Sequence, residues 1–376
     1  MGHATRSTGA QASTQLRIGV VTTSYPRTPT DPAGSFVAAH VEALRALGHE
    51  VDVIAAGTRA GRDVVRIPSR LFERGGAPDA LEAQPFALLG AAASFSARLA
   101  AAVALRAHRW DSIVAHWLVP SALAALPSRA PLLAIAHGGD VHTLRRAKLL
   151  GPVLHLLAAR GAELVFVSEQ LRAIACAAAP RLEAWLAHAT VQPMGLDLAR
   201  FSAIARAPTD PPTIVVAARL VPIKGVDVMI DAVARLHSTA RVVIAGDGPA
   251  RAELELRARS TGVTFLGQVD TVARDRLLGT ASIVVVPSRI TPGGRSEGTP
   301  MIALEALAAG VPVIATEVGG LRALAPAAHL VEPEDPGALA AAIDHVLSAP
   351  PRRADLQAAV SHLAWERIAP RLLRSD

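Results

Sequence analysis

Short apolar runs rich in Val, Ile and Ala alternate with longer Ala/Leu/Arg stretches almost throughout the 376 residues. The short runs read as buried strands and the longer stretches as helices, a pattern that predicts parallel sheets with crossover helices. Leu16–Val21, Val51–Ile54, Ser112–Ala115, Pro131–Ala136 and Glu163–Val167 form a first series of strands, with helices at about 36–47, 86–107 and 145–160. Gly48 is suited to close the first helix. After the Pro-rich stretch Ala207–Pro212 a second series begins, at Thr213–Ala217, Arg241–Ala245, Val263–Leu266, Ser282–Val286 and Pro312–Ala315. The last helix, about 355–373, carries Trp365 and Ile368 on one face and charges on the other. The pattern therefore predicts an α/β chain of two doubly wound, Rossmann-like domains facing a cleft. Its divisions are a disordered lead-in at 1–15, a domain at 16–205, a second at 206–354 and a closing helix at 355–376. In such sheets ligands bind beyond the strand ends and between domains.

Composition narrows the function. Apolar residues are 51% of the chain, enough for two cores, while aromatics are only 3%, which argues against a nucleic-acid binder built on stacking. A single cysteine, Cys176, excludes an internal disulfide and a thiolate zinc site. The net charge of +6 is carried by 36 Arg and only two Lys, Lys148 and Lys224, and suits phosphorylated substrates or an anionic membrane surface. The N-terminal 15 residues lack the apolar core of a signal peptide, and the longest apolar stretch, Phe86–Ala97, is stopped by Arg98 short of a bilayer span. These features predict a cytoplasmic protein. Arg98, Arg145 and Arg146 lie on first-domain helices, where a solvated face is the expectation and contact with anionic lipid the alternative.

The densest chemistry lies in Ser296–Ala315. Thr299 is suited to cap a helix and Pro300 to its first position, with Gly310 ending it. Glu297 then precedes the helix and Glu305 sits on its second turn. Two carboxylates flank a helix start whose free N–H groups favour phosphate. Either acid alone reads first as a solvated side chain, Glu297 in a loop and Glu305 on a helix surface. Yet Glu305 stands in an almost wholly apolar helix, and a buried carboxylate needs a partner.

The spacing Glu297-Gly-Thr-Pro-Met-Ile-Ala-Leu-Glu305, followed by Ala-Leu-Ala-Ala-Gly310-Val-Pro312-Val, resembles the retaining GT-B glycosyltransferases of glycosyltransferase family 4. The resemblance covers about 16–373. It implies that Glu305 binds the ribose hydroxyls of a nucleotide-sugar donor and Glu297 the sugar hydroxyls. The family's aromatic–glycine pair is Thr299-Pro300 here, so amide contacts to the donor fall to Gly298, Thr299, Met301 and Ile302. Arg219-Leu-Val-Pro-Ile-Lys224-Gly resembles the family's basic loop, and two cations after a strand can converge on a diphosphate. Gly246-Asp-Gly-Pro249 resembles a structural turn beside the cleft, and Leu266-Gly-Gln-Val269 the loop whose backbone meets the nucleobase. Gly34 matches a glycine that approaches the donor phosphates, and Gly195 a turn near the donor.

By the same resemblance His137-Gly-Gly-Asp140 sets His137 over the donor sugar and Asp140 near the acceptor. His116 and Trp117, at another strand end, are acceptor-pocket candidates. The terminal Trp365-Glu segment resembles the family's helix that returns to the first domain. The implied activity is retaining transfer from a UDP- or GDP-sugar to a glycan, lipid-linked or small-molecule acceptor in envelope or exopolysaccharide synthesis. It implies no nucleic-acid partner, with peripheral membrane association as a further expectation. The chain contains no D-x-D acid pair, which fits a mechanism with no cofactor or divalent metal, in which Arg219, Lys224 and helix dipoles carry the phosphate charge. Two alternatives are a GT-B sugar-nucleotide epimerase and a non-catalytic nucleotide-sugar binder. A dinucleotide oxidoreductase fits less well, because no full G-x-G-x-x-G opens either domain.

Overall fold

The computed structural model describes residues 15–58, 64–69, 71–72, 85–325 and 327–373. Most of the sequence-predicted lead-in lies outside these. The first sheet contains β1 (Arg17–Thr22), β2 (Glu50–Ala56), β3 (Val64–Ile67), β4 (Ser112–His116), β5 (Leu132–Ala136), β6 (Glu163–Phe166) and β7 (Thr190–Val191), in the order β3-β2-β1-β4-β5-β6-β7. The second contains β8 (Thr213–Ala217), β9 (Arg241–Ala245), β10 (Thr264–Gly267), β11 (Ile283–Val286), β12 (Val313–Thr316) and β13 (His329–Val331), in the order β10-β9-β8-β11-β12-β13. Every strand pair is parallel. The strand order reverses between β1 and β4 and again between β8 and β11, and these are the two places where a doubly wound sheet opens a crevice.

Alternation within the strands builds layers on both faces. In β8, Ile214 and Val216 join an outer cluster with Ile244, Ile283 and Ile343, whereas Val215 turns to the inner layer. That inner layer is continuous with the core of the first domain and with the closing segment through Trp365, Ile368 and Leu372. The helix Met301–Ala309 lies inside it, and every residue from Ala303 to Ala309 is buried. A helix apolar on all sides belongs in a core. Leu304 and Leu307, fully packed, each contribute about 1.5–3 kcal/mol.

The structure corrects four expectations. The helix of the carboxylate segment starts at Met301, with Pro300 as an extended cap residue (φ −60°, ψ 122°) and no side-chain cap. Thr299 is not its cap, and its hydroxyl instead reaches the Val167 carbonyl at 3.4 Å. The helix expected at 145–160 is two, Gly139–Arg146 and Leu150–Ala159, broken at Lys148 (φ 58°), with Pro152 in the first turn of the second where its missing N–H costs nothing. The closing helix is likewise divided into Arg353–Ala359, a short turn at Ser361–Leu363, and Trp365–Leu373. At this break the chain pairs with the first crossover: Leu196 donates to the Leu363 carbonyl (2.8 Å) and Trp365 to that of Leu196 (3.2 Å).

Candidate active site

Both sheets turn their C-terminal strand ends toward one cleft of about 1130 Å³, lined by residues of both domains. From the second domain come Arg219, Lys224, Val269, Met301, Ile302 and Glu305, all sequence-predicted donor residues. From the first come Asp140, Trp117 and Phe36.

Lys224 follows β8 in a short turn that ends at Gly225. Gly225 has φ 61°, and a Cβ there would lie 1.9 Å from the Pro287 carbonyl oxygen, so only glycine lets the loop press against the end of β11. The loop is clamped on its other side, where Leu220 donates to the Asp247 carbonyl (2.9 Å) and Ala250 to that of Leu220 (3.0 Å). The Gly246–Pro249 turn is therefore a brace for the Arg219 loop. So held, Lys224 forms an ion pair with Glu297. The Glu297 carboxylate is only 9% exposed. Burial and the neighbouring Arg295 lower the Arg219 guanidinium from its ordinary value, while Glu297 pulls it back. The two sequence-predicted charges of the loop and the helix approach thus meet in one electrostatic unit.

Glu305 has the partner its burial demanded. Arg274, on the helix Thr271–Thr280, donates from Nη1 to Glu305 Oε1 at 2.9 Å, and the two side chains are 11% and 6% exposed. Burial raises the Glu305 carboxyl above the ordinary carboxylate range, opposed by Arg274 and Arg200. Arg274 also lies over the Phe201 ring (5.6 Å). Nothing in the local sequence marked Arg274; only the requirement that a buried acid be paired pointed to such a residue.

In the first domain the turn after β5 is held by Asp140. Its Oδ1 accepts from the amides of His137 (3.2 Å) and Gly138 (3.0 Å), and its Oδ2 from Leu118 (2.7 Å). Burial raises its carboxyl and these bonds oppose the rise. The geometry makes Asp140 the residue that shapes the His137 turn and joins it to the loop after β4. His137 is half-buried and faces Phe36 (5.2 Å between ring centroids) and Trp117 (4.7 Å).

Some candidates stand elsewhere than expected. His116 is fully buried behind His137, so it cannot touch an acceptor directly. Trp117, by contrast, lines the cleft, in a positive-φ conformation (74°). Gly195 packs under the Trp365 indole, where a Cβ would come within 2.4 Å of the ring, and it serves the crossover instead of the cleft. Gly34, at φ 70°, starts the helix Ser35–Ala46 with its Cα against the Ser24 carbonyl; its neighbours Ala33 and Ser35 line the cleft. Gly298 packs on the first domain, near Val167 and the His137 carbonyl. Further cross-domain contacts are Ser296 Oγ to Gln170 (2.8 Å), the amide of Thr271 to the Thr30 carbonyl (3.0 Å), and Arg145 to the Gly294 carbonyl (2.8 Å). Arg145 is thus an interdomain tie and not a freely solvated side chain.

Two doubly wound sheets across a cleft, with basic and acidic residues at the strand ends, define a GT-B protein. The glycosyl transferase 4-like domain matches residues 33–183 and the glycosyl transferases group 1 domain matches 199–362. Mycobacterium tuberculosis glycogen synthase is 30% identical across 94% of this chain and 92% of its own length. A Bacillus subtilis protein assigned to teichuronic acid biosynthesis, TuaC, is 32% identical over 251 residues, 62% of this chain, and the match spans 60% of TuaC. Among solved structures, sucrose-phosphate synthase of Thermosynechococcus elongatus superposes with a TM-score of 0.70 at 21% identity, covering 95% and 97% of the two chains. Anabaena HepE in complex with UDP-glucose gives 0.69 at 20% identity, covering 96% and 98%. The chain belongs to the glycosyl transferases group 1 family, the family 4 type of GT-B glycosyltransferase. Among the described residues no helix is long and apolar enough to cross a membrane.

Proposed function

We propose that the chain transfers a sugar from a nucleoside-diphosphate sugar to a glycan, lipid-linked or small-molecule acceptor, with retention of anomeric configuration, in the synthesis of envelope or extracellular polysaccharide. The observation that carries this reading is the convergence of Arg219, Lys224 and Glu305 at the start of the helix Met301–Ala309 in a two-domain cleft, with Glu297 joined to them through its ion pair with Lys224. Glu305 Oε1 is taken by Arg274, which leaves Oε2 for a ribose hydroxyl. The diphosphate then lies toward Arg219 and Lys224, whose charges offset the negative charge that grows as the sugar–phosphate bond breaks. Glu297, paired with Lys224, accepts from the sugar hydroxyls. The amides of Met301 and Ile302 have no helical partners, and both residues line the cleft. Nucleoside diphosphate binding in HepE, solved with UDP-glucose, supports a donor of this kind.

Deprotonation of the acceptor falls to the departing diphosphate, because Asp140 is engaged by three amides. Charge neutralisation by Arg219 and Lys224 is the route to a reaction that needs no divalent metal. Thermal shift with UDP, GDP and ADP and their sugars tests the reading: one nucleotide series should raise the melting temperature, since a ligand that binds only the native state stabilises it. Transfer should persist in EDTA, and NMR of the product should show the donor's anomeric configuration. Inverted product, or no stabilisation by any nucleotide, would refute it.

A further inference from the structure

Behind the cleft wall runs a row of three imidazoles from three separate elements: His40 on the helix Ser35–Ala46, His116 at the end of β4, and His137 after β5. His40 Nδ1 lies 3.2 Å from His116 Nε2, and His116 Nδ1 lies 3.0 Å from His137 Nε2. The rings of His116 and His137 are nearly parallel (16°), and His40 stacks on Trp365 at 4.5 Å and 8°. His40 and His116 are buried, whereas His137 is half-buried and its ring packs against Phe36 and Trp117, which line the cleft.

Burial disfavours charge on all three rings. A neutral imidazole has one N–H and one lone pair, so the protons along this row must all point the same way. If they point inward, His116 donates to His40 Nδ1, and His40 must carry its own proton on Nε2. That atom is buried without a partner. If they point outward, His40 Nε2 holds only a bare lone pair. Orphaned buried N–H groups are rarer than under-satisfied buried acceptors. The outward direction is favoured. It leaves His137 with its proton on Nδ1, a nitrogen with no hydrogen-bond partner among the described residues.

We infer that His40 and His116 are positioning residues that lock His137 as the Nδ1–H tautomer, so that it meets the occupant of the cleft as a hydrogen-bond donor and not as a base. The matching ligand group is an oxygen with a free lone pair, such as a hydroxyl or ring oxygen of a sugar; that identity rests on the nucleotide-sugar reading, whereas the tautomer does not. The inward-running alternative would offer a lone pair to the same ligand and would select a donating hydroxyl instead.

Two-bond 1H–15N correlation on the full chain, labelled at histidine nitrogens and assigned with single His variants, reads each tautomer directly. Nδ1–H signatures for His40, His116 and His137 are expected; an Nε2–H signature at His137 overturns the inference. A paired substitution adds a kinetic readout. In His40→Asn the amide N–H can still donate to His116, while in His40→Leu nothing can. His40→Leu should lower kcat about tenfold to a hundredfold, as loss of an outer hydrogen-bond partner does, with donor KM little changed and His40→Asn close to the parent. Equal kcat in the two variants, with His137 unchanged in the spectrum, also overturns it. The spectrum needs no donor or acceptor, so a chain with the expected tautomers and no transferase activity would refute the proposed function and leave this inference standing.

Discussion

Replacing Glu305 by Ala removes one half of a nearly dry ion pair and, on the proposed function, the ligand for the ribose. The two effects have separate magnitudes. Arg274 would keep its charge in a site where it is 11% exposed, with Asp275 at 3.5 Å as remaining compensation. Removing one partner of a buried pair costs about 3–5 kcal/mol, and the Asp275 contact points to the lower end. For a domain of this size ~3 kcal/mol lowers the melting temperature by roughly 6–12 °C. Lost hydrogen bonds from ribose hydroxyls to a carboxylate add about 1.5–3 kcal/mol to donor binding, a tenfold to hundredfold rise in Kd. Calorimetric unfolding without ligand measures the first effect and titration with the stabilising nucleotide the second. The double variant Arg274→Met with Glu305→Gln separates them, because it leaves no lone charge. It should regain most of the stability and none of the nucleotide affinity. Recovery of full affinity in the double variant would refute the assignment of Glu305 to the nucleotide. An Ala variant as stable as the parent would refute the reading of the Arg274 pair.

Lys224→Ala should reduce kcat/KM at least tenfold, and Glu297→Ala added to it should cost much less than Glu297→Ala alone, because the two act as one pair; strict additivity in a double-mutant cycle would contradict this. Gly225→Ala forces a Cβ onto the Pro287 carbonyl at a positive φ, so it should destabilise by about 1–3 kcal/mol and displace Lys224, measured as a lower melting temperature with weakened nucleotide binding. Burial pushes His40 and His137 down to about 3 and His142 to about 4. Unfolded histidines take up protons near pH 6.5, so the unfolded state binds more protons below that pH. Stability should therefore fall as pH drops from 6.5 toward 4, by up to about 1.4 kcal/mol per pH unit for each such group. Asp140 and Glu305, whose values are raised, oppose this fall through the native state's own proton uptake. Urea midpoints across pH 4.5–7.5 measure the balance, and a His40→Asn variant should show a shallower slope than the parent.

Both sheets were legible in the sequence because their central strands are continuous apolar runs. The strands that escaped, β3, β7 and β13, are edge or near-edge strands of two to four residues, too short for periodicity to register. The helix breaks at Lys148 and Ala364 escaped because no glycine marks them and the surrounding residues favour helix; tertiary pairing with Leu196 decides the second. At the site, charges that stand close in sequence were readable as a group, as with Glu297 and Glu305. Partners distant in sequence were not: Arg274 stands 31 residues before Glu305, and His40 stands 76 before His116. His116 was assigned to the cleft from its position at a strand end, but a strand end does not reveal which way a side chain turns. Here β4 sends it inward and Trp117 outward.

The chain crosses between domains twice, after β7 and again before Trp365, and the two crossings are stitched together where Leu196 bridges Leu363 and Trp365. Two connections bound side by side behave as a single knuckle. Motion of one domain against the other would turn about that knuckle, since both connections pass through it. Any swing that admits a substrate must first release the latches elsewhere on the rim, Thr271 to Thr30, Ser296 to Gln170 and Arg145 to Gly294, all of them individually weak hydrogen bonds. The molecule is thus built like a clasp, with a durable pivot and catches that one substrate's worth of binding energy can undo.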